Sequence, residues 1–287
     1  MLNAPQRRPS LLAILAVTCA LWASACSAED SAALEDSAAF EDTLSGENTP
    51  SDATGEAVAI PDAVPYSGWP AVSFAGAVLG RSVDGRGLVV ERFGERGPVV
   101  LLMHAIHGNE TPAEQQGQRM RTRLLTSPEL YADLRVLFVS MVNPDGVVAD
   151  TRYNSHGFDL NRNFPASNFE PTAIYGPSPA SEPETQLIVR LVEETDPAAI
   201  VTVHNPLNAI NYDGPAEALA AAMSEASGVP IDQDIGFYPG SFGSYAGIDL
   251  QIPTVTLELP PSVRSSDAHD KWLLIEDVAL TWTAGQG

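Results

Sequence analysis

Residues 97–110 read GPVVLLMHAIHGNE: an apolar run, Val99 to Met103, gives way to His104, His107, Gly108 and Glu110 within a few positions. A short unbroken apolar run behind Gly-Pro reads as a buried strand. Where a strand ends, side chains leave the core and can converge on a ligand. The chain has only five histidines, and two of them stand at this strand end, so it is a place to look for chemistry.

The same pattern recurs along the chain. GLVVERFG (87–94) reads as a strand, and LRVLFVSMVNPDG (134–146) as a strand ending in a turn. AAIVTVH (198–204) is a further buried strand and IPTVTLELP (252–260) a final one. Between them lie segments of helical composition. Residues 110–125 form one, and SEPETQLIVRLVEETD (181–196) another, its capping box formed by Ser181 as N-cap and Glu184 three positions on. GPAEALAAAMSEASG (214–228) opens at Pro215 and stops at Gly228, and residues 267–282 form the last helix. Strands alternating with helices predict an α/β sandwich with a mixed, mostly parallel sheet, and such sheets build their sites at strand ends.

With 37 acidic against 15 basic residues, a net charge of -22 repels phosphates, and no basic stripe with interleaved aromatics is present; nucleic acid is not an expected partner. Both cysteines, Cys19 and Cys26, precede the folded part, which leaves the latter without a disulfide or a cysteine metal ligand. Arg7 and Arg8, the apolar stretch Leu11 to Leu21 and the small residues before Cys26 read as an export signal over 1–26. The motif WASAC resembles a bacterial lipoprotein signal with Cys26 as the lipidated residue; ordinary cleavage near Ala25 is the alternative. Residues 27–62 hold ten acids and no base, with a near-repeat in EDSAALEDSAAFED, so 27–65 is expected to be a solvated acidic tether. The folded domain is expected to span 66–287. These features predict an exported protein of the cell envelope or periplasm that touches membrane only through a lipid on Cys26.

His107 and Glu110, spaced H-x-x-E, can reach one cation if the loop turns into a helix between them. His204 ends the strand AAIVTVH. Two imidazoles and a carboxylate form a common catalytic zinc set with a fourth position open to water. Glu258 is an acid inside an otherwise apolar strand, a placement that is costly without a partner or a task. Blander readings stand beside these: an H-x-x-E pair arises by chance, and Glu258 can be paired with a core arginine. His104 reads as a hydrogen-bonded structural histidine, His156 as a loop residue and His269 as a helix-surface residue.

NPDGVVADTRYNSHGFDLNRNFP (143–165), together with HGNE, the strand ending in His204 and the late strand carrying Glu258, resembles the zinc metallocarboxypeptidase family. Five blocks in order resemble its murein peptide amidase branch: DLNRNFPASNF, SEPETQ, VTVHNPLNAI, PGSFGSY and LELPP. The resemblance implies a three-layer α/β/α sandwich and one Zn²⁺ held by His107, Glu110 and His204. It implies Glu258 as the catalytic carboxylate and Arg152 as the cation facing the oxyanion. Asn161 and Arg162 would bind a substrate carboxylate. Tyr238 is the nearest match to the tyrosine that covers the substrate, displaced by about two residues. The position that sets side-chain preference falls near Gly243, which offers neither charge nor bulk, so another element must read the side chain. The implied substrate is the γ-D-glutamyl–meso-diaminopimelate bond of cell-wall peptides. Rival readings are an N-acyl amino acid deacylase resembling the aspartoacylase group, a general carboxypeptidase, and a binding lipoprotein that keeps the pocket without the reaction.

Overall fold

The computed structural model describes residues 77–235, 238–263 and 266–286. The predicted export segment, Cys26 and the acidic stretch to residue 65 lie outside the described residues.

Seven strands form one sheet in the order β1-β2-β4-β3-β5-β7-β6. They are β1 (Ala77–Arg81), β2 (Gly87–Phe93), β3 (Val99–His104), β4 (Arg135–Val139), β5 (Ala199–His204), β6 (Ala209–Asp213) and β7 (Thr254–Glu258). The central strands β4, β3, β5 and β7 run parallel, and the outer pairs β1–β2, β2–β4 and β6–β7 are antiparallel. Strands β3 and β5 are buried at every position, as continuous apolar runs covered on both faces must be.

The two-residue strand period divides these runs between two cores. Val100 and Leu102 point into a layer with Met120 and Leu124 of α1 (Thr111–Thr126), Leu219 and Met223 of α4 (Glu217–Ser227), and Trp272, Ile275 and Leu280 of α5 (Ser266–Ala284). Val99, Leu101 and Met103 point the other way, toward Leu187, Ile188 and Leu191 of α3 (Pro183–Thr195) and the aromatic group Phe164, Phe242 and Tyr245. The result is the expected three-layer sandwich, parallel at its centre.

Several local expectations give way to tertiary contacts. Ser181 does not cap α3: the N-cap is Glu182, without a side-chain cap bond, while the Ser181 hydroxyl accepts from Asn163 Nδ2 at 2.9 Å. The residues NPDG do not end in a simple turn; Asn143 caps a short helix, α2 (Pro144–Ala149), by accepting from Gly146 N at 2.8 Å. His269 is buried rather than at the helix surface, its Nδ1 3.0 Å from Gln116 Oε1. His104 pairs with buried Glu276 at 3.1 Å, tying β3 to α5.

Candidate active site

At its carboxyl end β3 leaves the sheet through Ala105, in the left-handed region at φ 52, and the HGNE turn leads directly into α1. This turn lies backbone against backbone on α2: a Cβ on Gly108 would sit 1.9 Å from the carbonyl carbon of Gly146. Glycine is thus required where the two motifs touch. Parallel register sets His204 of β5 beside Glu258 of β7, so both side chains leave the same face at the same edge of the sheet.

His107, Glu110 and His204, all buried, bring one donor atom each to within 4.8 Å of one another. His107 Nδ1 lies 2.7 Å from Glu110 Oε1, and His204 Nδ1 lies 3.2 Å from Glu110 Oε2. The opposite nitrogen of His107, Nε2, faces Asp159 Oδ1 at 3.1 Å. Burial pushes the His107 imidazole toward its neutral form, but the Glu110 and Asp159 carboxylates outweigh it and favour the protonated ring between them; a cation at Nδ1 would take the place of that proton. This donor set fits a zinc ion held by two imidazoles and one carboxylate.

The electrostatics follow from burial and neighbours. Burial pushes the Glu110 carboxyl up, but His107 and His204 outweigh it and hold the group well below the usual carboxylate range. Asp159 is likewise penalised by burial, yet His107, Arg152 and Arg162 hold it far down. For Glu258 burial dominates, and nearby Glu110 adds to it, so its carboxyl is raised above the ordinary value.

An open cleft of about 780 Å³ is lined by all eight residues singled out in the sequence: His107, Glu110, Arg152, Asn161, Arg162, His204, Tyr238 and Glu258. Arg152 donates from Nε to Asp159 Oδ2 at 2.9 Å. Arg162 donates to the Asn161 carbonyl at 2.7 Å, and its guanidinium lies 4.1 Å from the Tyr238 ring centre. The Asn161 carbonyl oxygen of the side chain accepts from Phe242 N at 2.9 Å, which leaves its amide nitrogen to donate.

Asp159 is the group that sequence reasoning passed over. It accepts from His107, Arg152 and the Asn161 backbone at once and joins three parts of the cleft. Its signal was an acid two positions before Asn161 in DLNRNF. Asn154 was also missed: it donates to Glu182 and Glu184 at 2.7 and 3.3 Å and anchors the loop that carries Arg152.

Fold and site define a class of α/β proteins with a His-Glu-His donor set fit for a metal at the carboxyl edge of the sheet. The chain belongs to the zinc carboxypeptidase family, whose sequence pattern matches residues 75–227. Murein peptide amidase A of Escherichia coli K12 is 37% identical over 161 residues, covering 50% of this chain and 65% of that protein. The Vibrio campbellii protein of the same name is 32% identical over 179 residues, 56% of this chain and 69% of its own. The crystal structure of murein-tripeptide amidase from E. coli O157 superposes with a TM-score of 0.61 at 30% identity, over 77% of this chain and 97% of that one. Bovine thrombin-activatable fibrinolysis inhibitor, at 15% identity and a TM-score of 0.64, shares the fold.

Proposed function

We propose that this protein is a zinc-dependent peptidase that hydrolyses an amide bond next to a free carboxylate, in peptides derived from the bacterial cell wall. The observation that carries this reading is the cleft itself, where a buried acid and two arginines surround a zinc-type donor set. Zinc at His107, Glu110 and His204 would acidify a water and polarise the scissile carbonyl. Glu258, beside His204 and raised by burial, is placed to take the proton from the attacking water and pass it to the departing nitrogen. Arg152, held by Asp159, faces the oxygen on which negative charge develops. Arg162 and the free amide nitrogen of Asn161 take the substrate carboxylate, a planar anion that suits a guanidinium fork.

The names of the E. coli and V. campbellii relatives support murein peptides as substrate; that the bond cut is γ-D-glutamyl–meso-diaminopimelate is what the resemblance of the five sequence blocks implies. Digestion of muropeptides by the purified protein, with and without chelator and read by mass spectrometry, tests this. Release of diaminopimelate that chelator abolishes supports it. Cleavage of ordinary peptide C-termini alone assigns a general carboxypeptidase, and cleavage of acylated amino acids alone assigns a deacylase. The predicted export segment and Cys26 further support a reading in which the protein acts outside the cytoplasmic membrane. A protein found in the cytoplasm with no incorporated fatty acid would remove that part of the reading.

A further inference from the structure

A buried acid outside the cleft touches both ends of the turn that carries two of the three donors. Glu276, on α5, is wholly buried, and its two carboxylate oxygens go to different elements. Oε2 accepts from His104 Nε2 at 3.1 Å, and Oε1 accepts from Gln116 Nε2 at 2.8 Å. His104 is the last residue of β3, the strand that enters the HGNE turn, and Gln116 lies in the second turn of α1, the helix that leaves it. One carboxylate thus holds both arms of the turn, with His107 and Glu110 between them.

The Gln116 amide cannot exchange its ends, because its oxygen accepts from His269 Nδ1 at 3.0 Å and leaves the nitrogen to Glu276. His269, Gln116, Glu276 and His104 are all buried. The two arms are also in direct contact. Gly117 of α1 lies against the His104 side chain, where an added Cβ would stand 3.0 Å from both His104 Cβ and Cγ and 3.2 Å from the Ser140 carbonyl oxygen. No side chain fits there without pressing helix and strand apart.

Holding α5 on the sheet does not need this carboxylate. Trp272, Ile275, Ala279 and Leu280 already bury the helix in the apolar layer, where a desolvated acid costs stability unless its oxygens are met. What an apolar side chain in its place could not do is fix two elements at two set distances, since hydrogen bonds constrain both length and direction. We infer that Glu276 is a positioning residue for the metal turn: it sets the spacing of β3 and α1, through them the spacing of His107 and Glu110, and so how tightly and in what geometry the donor set holds zinc. This rests on the zinc reading of that donor set and not on the peptide that is cut.

The test reads metal binding rather than turnover. Competition with a chelator gives zinc affinity, and the visible absorption of the Co²⁺-loaded protein follows coordination geometry. Glu276→Gln keeps the shape but replaces one acceptor by a donor, so it cannot accept from His104 and Gln116 together. It is expected to lower zinc affinity by about 10-fold, the low end for outer partners of a metal site, and to shift the cobalt bands. Gly117→Ala removes no polar group and favours helix, yet presses α1 away from His104, and the same two changes are expected. Leu280→Ala opens a cavity elsewhere on α5 and is expected to lower the melting temperature while zinc affinity and cobalt bands stay at wild-type values. Folded Glu276→Gln and Gly117→Ala variants with wild-type affinity and spectrum would overturn the inference, and if Glu276→Gln does not fold, Gly117→Ala alone decides. An equal loss of affinity in Leu280→Ala would overturn it too, by assigning the effect to general loosening. A wild type that takes up no zinc would overturn both the inference and the donor-set reading, whereas zinc uptake without cleavage of muropeptides would count against the proposed function alone.

Discussion

Glu258 and Asp159 are both buried carboxylates, and their surroundings drive them in opposite directions. Glu258 has burial and the like charge of Glu110 against it, which suits a group that must hold a proton in transit. Glu258→Gln is expected to retain stoichiometric metal and lose on the order of a thousandfold in kcat, the contribution of a positioned general base. Metal content and turnover measured together check this, and near-normal turnover would remove Glu258 from the role. Asp159, pulled down against burial by His107 and Arg152, is a positioning residue that holds Nε2 of His107 and so turns Nδ1 toward Glu110 and the donor set. Asp159→Asn is expected to weaken zinc binding by about 10- to 100-fold, measured by competition with a chelator of known affinity. Unchanged affinity would reduce the 3.1 Å contact to a packing accident. His107 and Glu110 were legible because three residues suffice to state their relation. Asp159 was not, since its partner His107 lies 52 positions away along the chain.

Helix α3 shows how an element serves the cleft without lining it. Glu184, in its first turn, is wholly buried and accepts from Val83 N at 3.1 Å and Asn154 Nδ2 at 3.3 Å. Burial raises its carboxyl above 4.5, and these hydrogen bonds offset only part of the rise. For an acid whose folded pKa is raised, the ionised form costs stability above that pKa, and the cost vanishes below the unfolded value. The stability of Glu184→Gln relative to wild type is therefore expected to be most favourable near pH 7 and to decline as the pH falls toward 4.5. Denaturant unfolding at the two pH values checks the sign, and a relative stability that rises on acidification would contradict it. The helix was visible in its apolar spacing, but its cap was not. Ser181 and Glu184 match a capping box in sequence, yet Asn163 and Asn154 claim their side chains from other segments. Strand β6 went unread for a related reason: its pattern AINYD carries the pocket residues Asn211 and Asp213 in place of a clean alternation.

Across the whole molecule, the metal site and the core are built separately. The two apolar layers on either face of the sheet enclose the strands without any contribution from the donor set. Chelation is therefore expected to abolish turnover while leaving the far-ultraviolet circular dichroism intact, with a melting temperature lowered by some degrees through loss of a ligand that binds only the folded state. Added zinc should restore both. Unfolding on chelation would mean that the ion, rather than the layers, holds the sheet together.

The sequence by itself determined the class of fold and pointed to the three candidate donors, His107, Glu110 and His204, that the fold brings together. Apolar runs and their periods are local, and a strand end announces itself by where the run stops. Only the tertiary structure decided that His204 lies beside Glu258, that Asp159 locks His107, and that Glu276 meets both arms of the HGNE turn. Those relations belong to strand register and to backbones in contact, and no spacing along the chain encodes which distant residues a sheet will set side by side.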